Sequence, residues 1–311
     1  MKPLLKKLPI PIAGVMLGLA ALGNLLQSYS EGVRLLFGAL AAVLWICLVL
    51  KVIFCWSGVC AAMQDPVVAS VSGTFSMTTM LLAVYAKPFV GAAAAQVLWF
   101  AGLALHVALI VWFTVKHLAK RDLSKIFASY YIVYVGIVVA SLTAPAFELT
   151  ATVGTWAFWF GFVCLIALLV LITVRYVKLP VKADPPKPLF CIYAAPVSLC
   201  LAGYIQSVTP KSAAMVIGLL AAASAIYLVV LCRLPGLLRL PFYPSYSAFT
   251  FPMVITAIAT KQAMACLTKL GMGAAWLSPV VLVETILAAV LVIYTLVRYL
   301  MALFALSKAA V

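Results

Sequence analysis

Residues 33–54 read VRLLFGALAAVLWICLVLKVIF, 22 positions of which Arg34 and Lys51 alone carry charge. About 20 consecutive apolar residues cross a hydrocarbon core as an α-helix. This run therefore sets the fold class as all-α integral membrane. Reading outward from it, similar runs occupy 9–29, 67–86, 89–115, 127–147, 153–174, 189–207, 212–232, 247–267 and 275–304. With 33–54 they predict ten transmembrane helices. The loops between them are short, so residues 1–311 read as one polytopic membrane domain.

Composition agrees: 67% of the chain is hydrophobic, and its 21 basic and 6 acidic residues give a net charge of +15. Such a charge can mark a nucleic-acid binder. Here the basic residues sit in alternate loops, so no nucleic-acid partner is expected. Lys2, Lys6 and Lys7 before an apolar run resemble a signal peptide, but nine further spans make that run the first anchor. None of the eight cysteines forms a C-x-x-C pair; they read as small buried hydrophobes, with no metal site and no cofactor.

The loops sort by charge. One side carries Lys2, Lys6 and Lys7, then Lys116, Lys120, Arg121 and Lys125, then Arg175, Lys178, Lys182 and Lys187, then Arg233 and Arg239. The other side has Arg34, Lys87, Lys211 and Lys269. Basic residues favour the cytoplasm, so both termini are expected inside, in a plasma (inner) membrane.

Odd and even spans differ in kind. Odd spans open with proline and small residues: Pro9-Ile10-Pro11-Ile12-Ala13-Gly14 in span 1, Asp65-Pro66 before span 3, Ala194-Ala195-Pro196 in span 7, Phe251-Pro252 in span 9. Even spans are bulkier, as in Leu-Trp-Ile-Cys-Leu-Val-Leu (44–50). The period is roughly 60 residues, one helical hairpin, and fixed-period similarity signals a repeat architecture. Five hairpins in one orientation suggest a pseudo-fivefold ring around a central pore, odd helices inside and even helices against lipid. Pro11, Gly14, Gly18, Pro196 and Pro252 are the candidate pore and kink positions. The competing reading is close helix–helix packing, which Gly14-x-x-x-Gly18 alone would equally satisfy.

Span 1 (Pro11-Ile12-Ala13-Gly14 to Gly18-Leu19-Ala20-Ala21-Leu22) resembles the opening of the tellurite-resistance/dicarboxylate transporter family. Span 9 (Ala248-Phe249-Thr250-Phe251-Pro252-Met253) resembles the same family, especially its plant slow anion channels. The resemblance implies a five-hairpin ring, a homotrimer with one pore per subunit, and a phenylalanine plugging the pore, which falls on Phe251. Its members transport anions, malate or sulfite. Span 5 departs from the pattern: Val133 and Val135 stand where some relatives have a proline, which puts the inner-helix kink there in question.

Phe251 precedes Pro252, and a proline can aim the preceding side chain off a helix. An aromatic ring across a narrow lumen makes a hydrophobic gate; otherwise it is a phenylalanine packed between helices. Lys261 is the basic residue well inside an odd span, and Glu284 lies in span 10 at a similar depth by helical rise. Intramembrane ionisable residues default to functional hypotheses: Lys261 either contacts permeating anions or forms a structural ion pair with Glu284. Ser70, Ser72, Thr74, Ser76, Thr250, Thr256 and Thr260 give hydroxyls on odd spans. Thr250 and Thr256 join Lys261 as candidate anion contacts. His106, on an even span, reads as a hydrogen-bonded packing residue rather than a proton relay. Asp65-Pro66 reads as an N-cap with a first-turn proline.

Apart from Asp65 at one edge, no acid lies in an odd span, so the lumen lacks the acidic ring common in cation channels. The expectation is a gated pore for small inorganic or organic anions in a lipid bilayer. The alternative is a carrier for C4-dicarboxylates such as malate, or for sulfite, possibly proton-coupled. It would want paired cations at the midplane, and no arginine lies inside an odd span. A membrane enzyme would need a His/Asp/Glu/Cys cluster, and ATP-driven pumping a Walker motif. Neither pattern occurs, and no catalytic activity is expected.

Overall fold

The structure, a computed structural model, describes residues 2–119 and 122–308. Lys120 and Arg121 of the basic loop after the fourth expected span lie outside the described residues. The described residues are helical, with no β-strand among them.

The first hairpin comprises α1 (Lys2–Lys7), α2 (Ile12–Leu26) and α3 (Glu31–Phe54). The second comprises α4 (Trp56–Ala62), α5 (Pro66–Val71), α6 (Gly73–Val90) and α7 (Ala92–Phe113), which a π-helical turn extends to Leu118. The third has α8 (Tyr130–Tyr134), α9 (Val138–Thr143), the 3-10 turn Ala144–Phe147 and α10 (Thr155–Lys178). In the fourth, the 3-10 segment Lys187–Tyr193 runs into α11 (Ala194–Ser207) and returns as α12 (Ala213–Leu238). In the fifth, the 3-10 segment Pro244–Phe249 leads into α13 (Phe251–Lys269), and α14 (Ser278–Lys308) closes the chain.

Among the described residues, eight helical stretches are long and apolar enough to cross a membrane. The regions expected as spans 1 and 5 hold shorter apolar helices, Ile12–Leu26 and Val138–Phe147. The reasons are local. Pro9 and Pro11 delay the start of α2, since proline cannot donate to a preceding turn. Span 5 is cut by a turn at Val135–Ile137.

Burial separates the two kinds of span. The odd stretches Pro66–Val90, Lys187–Ser207 and Pro244–Lys269 are 72%, 89% and 78% buried, against 22–39% for the five even ones. Even helices turn Val43, Val163, Val170, Leu228 and Val290 outward, where lipid tails solvate them. Among the buried helices, α2 packs on α6, α6 on α9, α9 on α11, α11 on α13, and α13 back on α2. Each outer helix leans on this set. Polar glue helps: Trp45 Nε1 donates to Thr79 Oγ1 (2.8 Å) and Trp99 Nε1 to Thr143 Oγ1 (2.7 Å), outer helix to inner in both cases.

The helix ends follow the expected chemistry. Asp65 accepts from the backbone N–H of Val67 and Val68 (2.8 and 2.9 Å), with Pro66 in the first turn. Lys51, buried at the end of α3, donates to the carbonyls of Leu5 and Lys6 and so ties α1 down. Arg175 is also buried. It donates to Leu179 O (2.8 Å) and Ser124 O (3.1 Å) and stacks over the Phe127 ring, clamping the preceding loop to α10.

Candidate conduction pathway

Each of the five inner segments is interrupted. Leu8–Pro11 separates α1 from α2, Ser72 separates α5 from α6, and Val135–Ile137 separates α8 from α9. In the last two hairpins a 3-10 segment changes to α-helix at Tyr193–Ala194 and around Thr250, whose φ and ψ are −97° and −91°. Irregular backbone at membrane depth is tolerated where it is buried in protein or lines a cavity.

Residues from all five of these interrupted segments line one cavity of about 40 Å³, room for a few water molecules at most. Gly14 and Leu17 line it from α2, and Val71, Thr74 and Met77 from α5 and α6. Tyr131, Ile132, Val135 and Gly136 come from the broken fifth span. Ile192, Ala195, Pro196 and Leu199 come from the fourth hairpin, and Ser247, Ala248, Phe251 and Pro252 from the fifth. No charged side chain lines it.

Three expected pore positions besides the aromatic therefore meet here: Gly14, Pro196 and Pro252. Phe251 itself is 5% exposed and lies on the cavity wall at the first position of α13. Pro252 starts that helix rather than bending it. The change of direction falls on Thr250.

The other candidates lie elsewhere. Pro11 is buried at the N-cap of α2, off the cavity wall. Gly18 is a close-packing position: a Cβ there would lie 2.5 Å from Thr250 Cβ. Thr250 and Thr256 do not reach the cavity. Thr250 Oγ1 has Gly14 O at 2.8 Å and Ser247 O at 2.7 Å as acceptors. Thr256 Oγ1 donates to Pro252 O (2.9 Å) and lies 3.1 Å from Ser198 Oγ, holding α13 to α11. In an apolar interior a hydroxyl takes the nearest backbone acceptor. Of the seven hydroxyls named from the sequence, Thr74 lines the cavity, and Ser247 joins it there.

The expected Lys261–Glu284 pair is not formed. Lys261 Nζ donates to Leu25 O (3.2 Å) and Ser28 Oγ (2.6 Å) and lies 5.5 Å from the Tyr29 ring centre. It caps the carbonyl end of α2, where helix polarity favours a cation. Glu284 is buried and lines a lipid-side groove between α12 and α14, together with Tyr227. Similar depth was legible from helical rise, but the direction each side chain leaves its helix was not.

The break in span 5 forms without proline. Gly136 N donates to Tyr131 O, one residue further back than the α-helical partner. A Cβ on Gly136 would lie 2.1 Å from Ile132 O and 2.9 Å from Met77 Sδ, so the close turn requires glycine. His106 secures it from the outer helix α7. Its Nε2 donates to Val133 O (3.0 Å), and its Nδ1 pairs with Ser76 Oγ (2.7 Å). A carbonyl only accepts, so in the neutral ring Nδ1 is the acceptor from Ser76. The signal available in the sequence was a lone glycine between β-branched residues in an apolar run.

The sequence profile of the voltage-dependent anion channel (SLAC1) family matches residues 7–301, covering all five hairpins. The chain belongs to this family. As a voltage-dependent anion channel family member it is an anion channel or transporter and an integral membrane protein, and the family is one of channels and transporters rather than enzymes. No curated protein matches the chain.

Proposed function

We propose that the protein is a gated pore for small anions, closed by the Phe251 ring. The observation that carries this reading is the cavity wall: Phe251 shares it with all five broken spans, and the space left is about 40 Å³, too little for a hydrated ion. An aromatic constriction of this kind blocks conduction by excluding water, and outward rotation of one ring would enlarge it.

Selectivity follows from what surrounds the constriction. Residues at or just before the N-terminal ends of α2, α6, α9, α11 and α13 line the cavity, and helix N-termini carry partial positive charge. An anion would be favoured without a fixed basic side chain to trap it, which suits rapid conduction. A dicarboxylate carrier would want two cations at the site, and none lines the cavity.

In this reading α2 and the broken fifth span complete ten membrane crossings. The buried helices form a pseudo-fivefold ring around the lumen, within one polytopic domain. The short α2 and the α8–α9 pair span because proline- and glycine-made turns extend their reach. Both termini lie in the cytoplasm by the charge bias of the loops, the host membrane is the plasma membrane, and the assembly is a homotrimer by family resemblance.

The test is current through purified protein in a planar bilayer under a chloride gradient. Phe251→Ala is expected to raise conductance on the order of tenfold, equivalent to about 1.4 kcal/mol off the barrier, with reversal near the chloride potential. Unchanged current from well-folded mutant protein would remove Phe251 from the gate. Labelled malate or sulfite crossing liposomes that pass no current would replace the channel with a carrier.

A further inference from the structure

The 3-10 segment Lys187–Tyr193 has two working faces. In a 3-10 helix residues i and i+3 eclipse one another, so Lys187, Phe190 and Tyr193 form one stripe and Leu189 and Ile192 another. The second stripe is buried, and Ile192 lines the central cavity. The first floors a groove of about 660 Å³ between α10 and α12. The groove opens towards lipid, and one segment separates it from the conduction pathway.

Its chemistry is graded along its length. Leu169, Ile226, Val229 and Val230 line the part deeper in the membrane. Arg233 and Lys187 stand at the loop end, seven residues of α12 separating Arg233 from Ile226, about 10 Å of helix. Arg233 is exposed and makes no hydrogen bond or ion pair among the described residues. Lys187 is held by Asp184 at 2.6 Å. Arg175 nearby is spent on backbone carbonyls. An apolar slot of acyl-chain depth, with cations at its positive-loop end, is complementary to one class of molecule.

We propose that this groove binds an anionic phospholipid, its phosphate between Arg233 and Lys187 and an acyl chain along α12. The bound lipid braces the Lys187–Tyr193 segment from the side opposite the cavity. Juxtamembrane basic residues attract anionic headgroups. Asp184 opposes this by neutralising Lys187.

The experiment is native mass spectrometry of the delipidated full-length protein titrated with phosphatidylglycerol or phosphatidylcholine. It reads binding without any flux, so its failure is separate from failure of the channel reading. Phosphatidylglycerol is expected to bind more tightly than phosphatidylcholine. Arg233→Gln should weaken phosphatidylglycerol about fivefold, the ratio that goes with one headgroup-facing charge. Asp184→Asn should tighten it by freeing Lys187. Val229→Trp, filling the slot, should weaken both lipids. Arg239→Gln, exposed just past the end of α12 and off the groove wall, should change nothing. Equal binding of the two lipids, an Arg239→Gln loss matching that of Arg233→Gln, or a weaker Asp184→Asn complex would each overturn the proposal. So would a groove that takes up neither lipid because another subunit covers it.

Discussion

α13 and α14 are neighbours in one hairpin and of comparable reach, yet they meet the membrane in opposite ways. The stretch Pro244–Lys269 is 78% buried, begins as a 3-10 segment, turns at Thr250 and only then becomes α-helix. Ala275–Ala305 is 39% buried, and its α-helix runs unbroken from Ser278. The inner helix carries Thr250, Thr256 and Thr260, each bonded to a backbone carbonyl. The outer one turns Val283, Ile286, Val290 and Ile293 to lipid. Lipid penalises any break in the backbone ladder, because nothing there replaces the lost hydrogen bond. A helix shielded by neighbours is released from that rule, and here the released helices are the ones that surround a cavity.

The contrast is sharpest at glycine. Gly136 sits in the break of an inner span, where an added Cβ would lie 2.1 Å from Ile132 O; Gly218 on α12 has nothing within 4 Å. Gly136→Ala should therefore cost about 1–3 kcal/mol, the usual range for overpacking. Gly218→Ala should be neutral, or stabilise by up to about 1 kcal/mol through helix propensity. Thermal unfolding of the two variants in the same detergent measures both. Equal melting temperatures would mean that the inner break is no more constrained than an outer helix face.

His106 gives the next effect. It is the device by which a continuous outer helix holds two broken inner ones, through Ser76 and Val133 O. His106→Leu takes the donor from Val133 O, while Ser76 Oγ keeps Gly73 O (2.8 Å) as its acceptor; a buried group left unpaired costs about 1–3 kcal/mol. The same loss should loosen the cavity wall next to Gly136, so resting anion leak should rise along with the fall in melting temperature. A variant of wild-type stability and leak would show that the break holds itself.

The odd–even distinction was readable from composition, because proline and small residues at the start of odd spans are the chemical form of a protected break. Gly14, Pro196 and Pro252, singled out by that composition, and Phe251, singled out by the family motif, all line the cavity. Span 5 escaped that signal. Its break rests on Gly136 and on a histidine thirty residues earlier, a contact between hairpins that no local pattern records. Thr250 and Thr256 were misplaced because a hydroxyl on an inner helix has a closer acceptor in its own turn than in the lumen. Gly18 was misplaced because small residues serve close approach as readily as open space.

The smallest effect concerns Lys261 and Glu284, which sequence depth alone brings together. Lys261 points to the carbonyl end of α2 and Glu284 to the groove beside Tyr227. Two groups that share no partner should act additively, whereas contacting charges couple by about 0.5–3 kcal/mol. Lys261→Gln should cost about 0.3–1 kcal/mol, the value of a cation at a helix C-terminus. It should cost the same in a Glu284→Gln background, leaving a coupling below about 0.5 kcal/mol. A larger coupling in the double-mutant cycle would mean that the two side chains meet in the working protein. The last hairpin would then be stapled at its outer end, and the contrast between an anchored inner helix and a lipid-facing outer one would fail there.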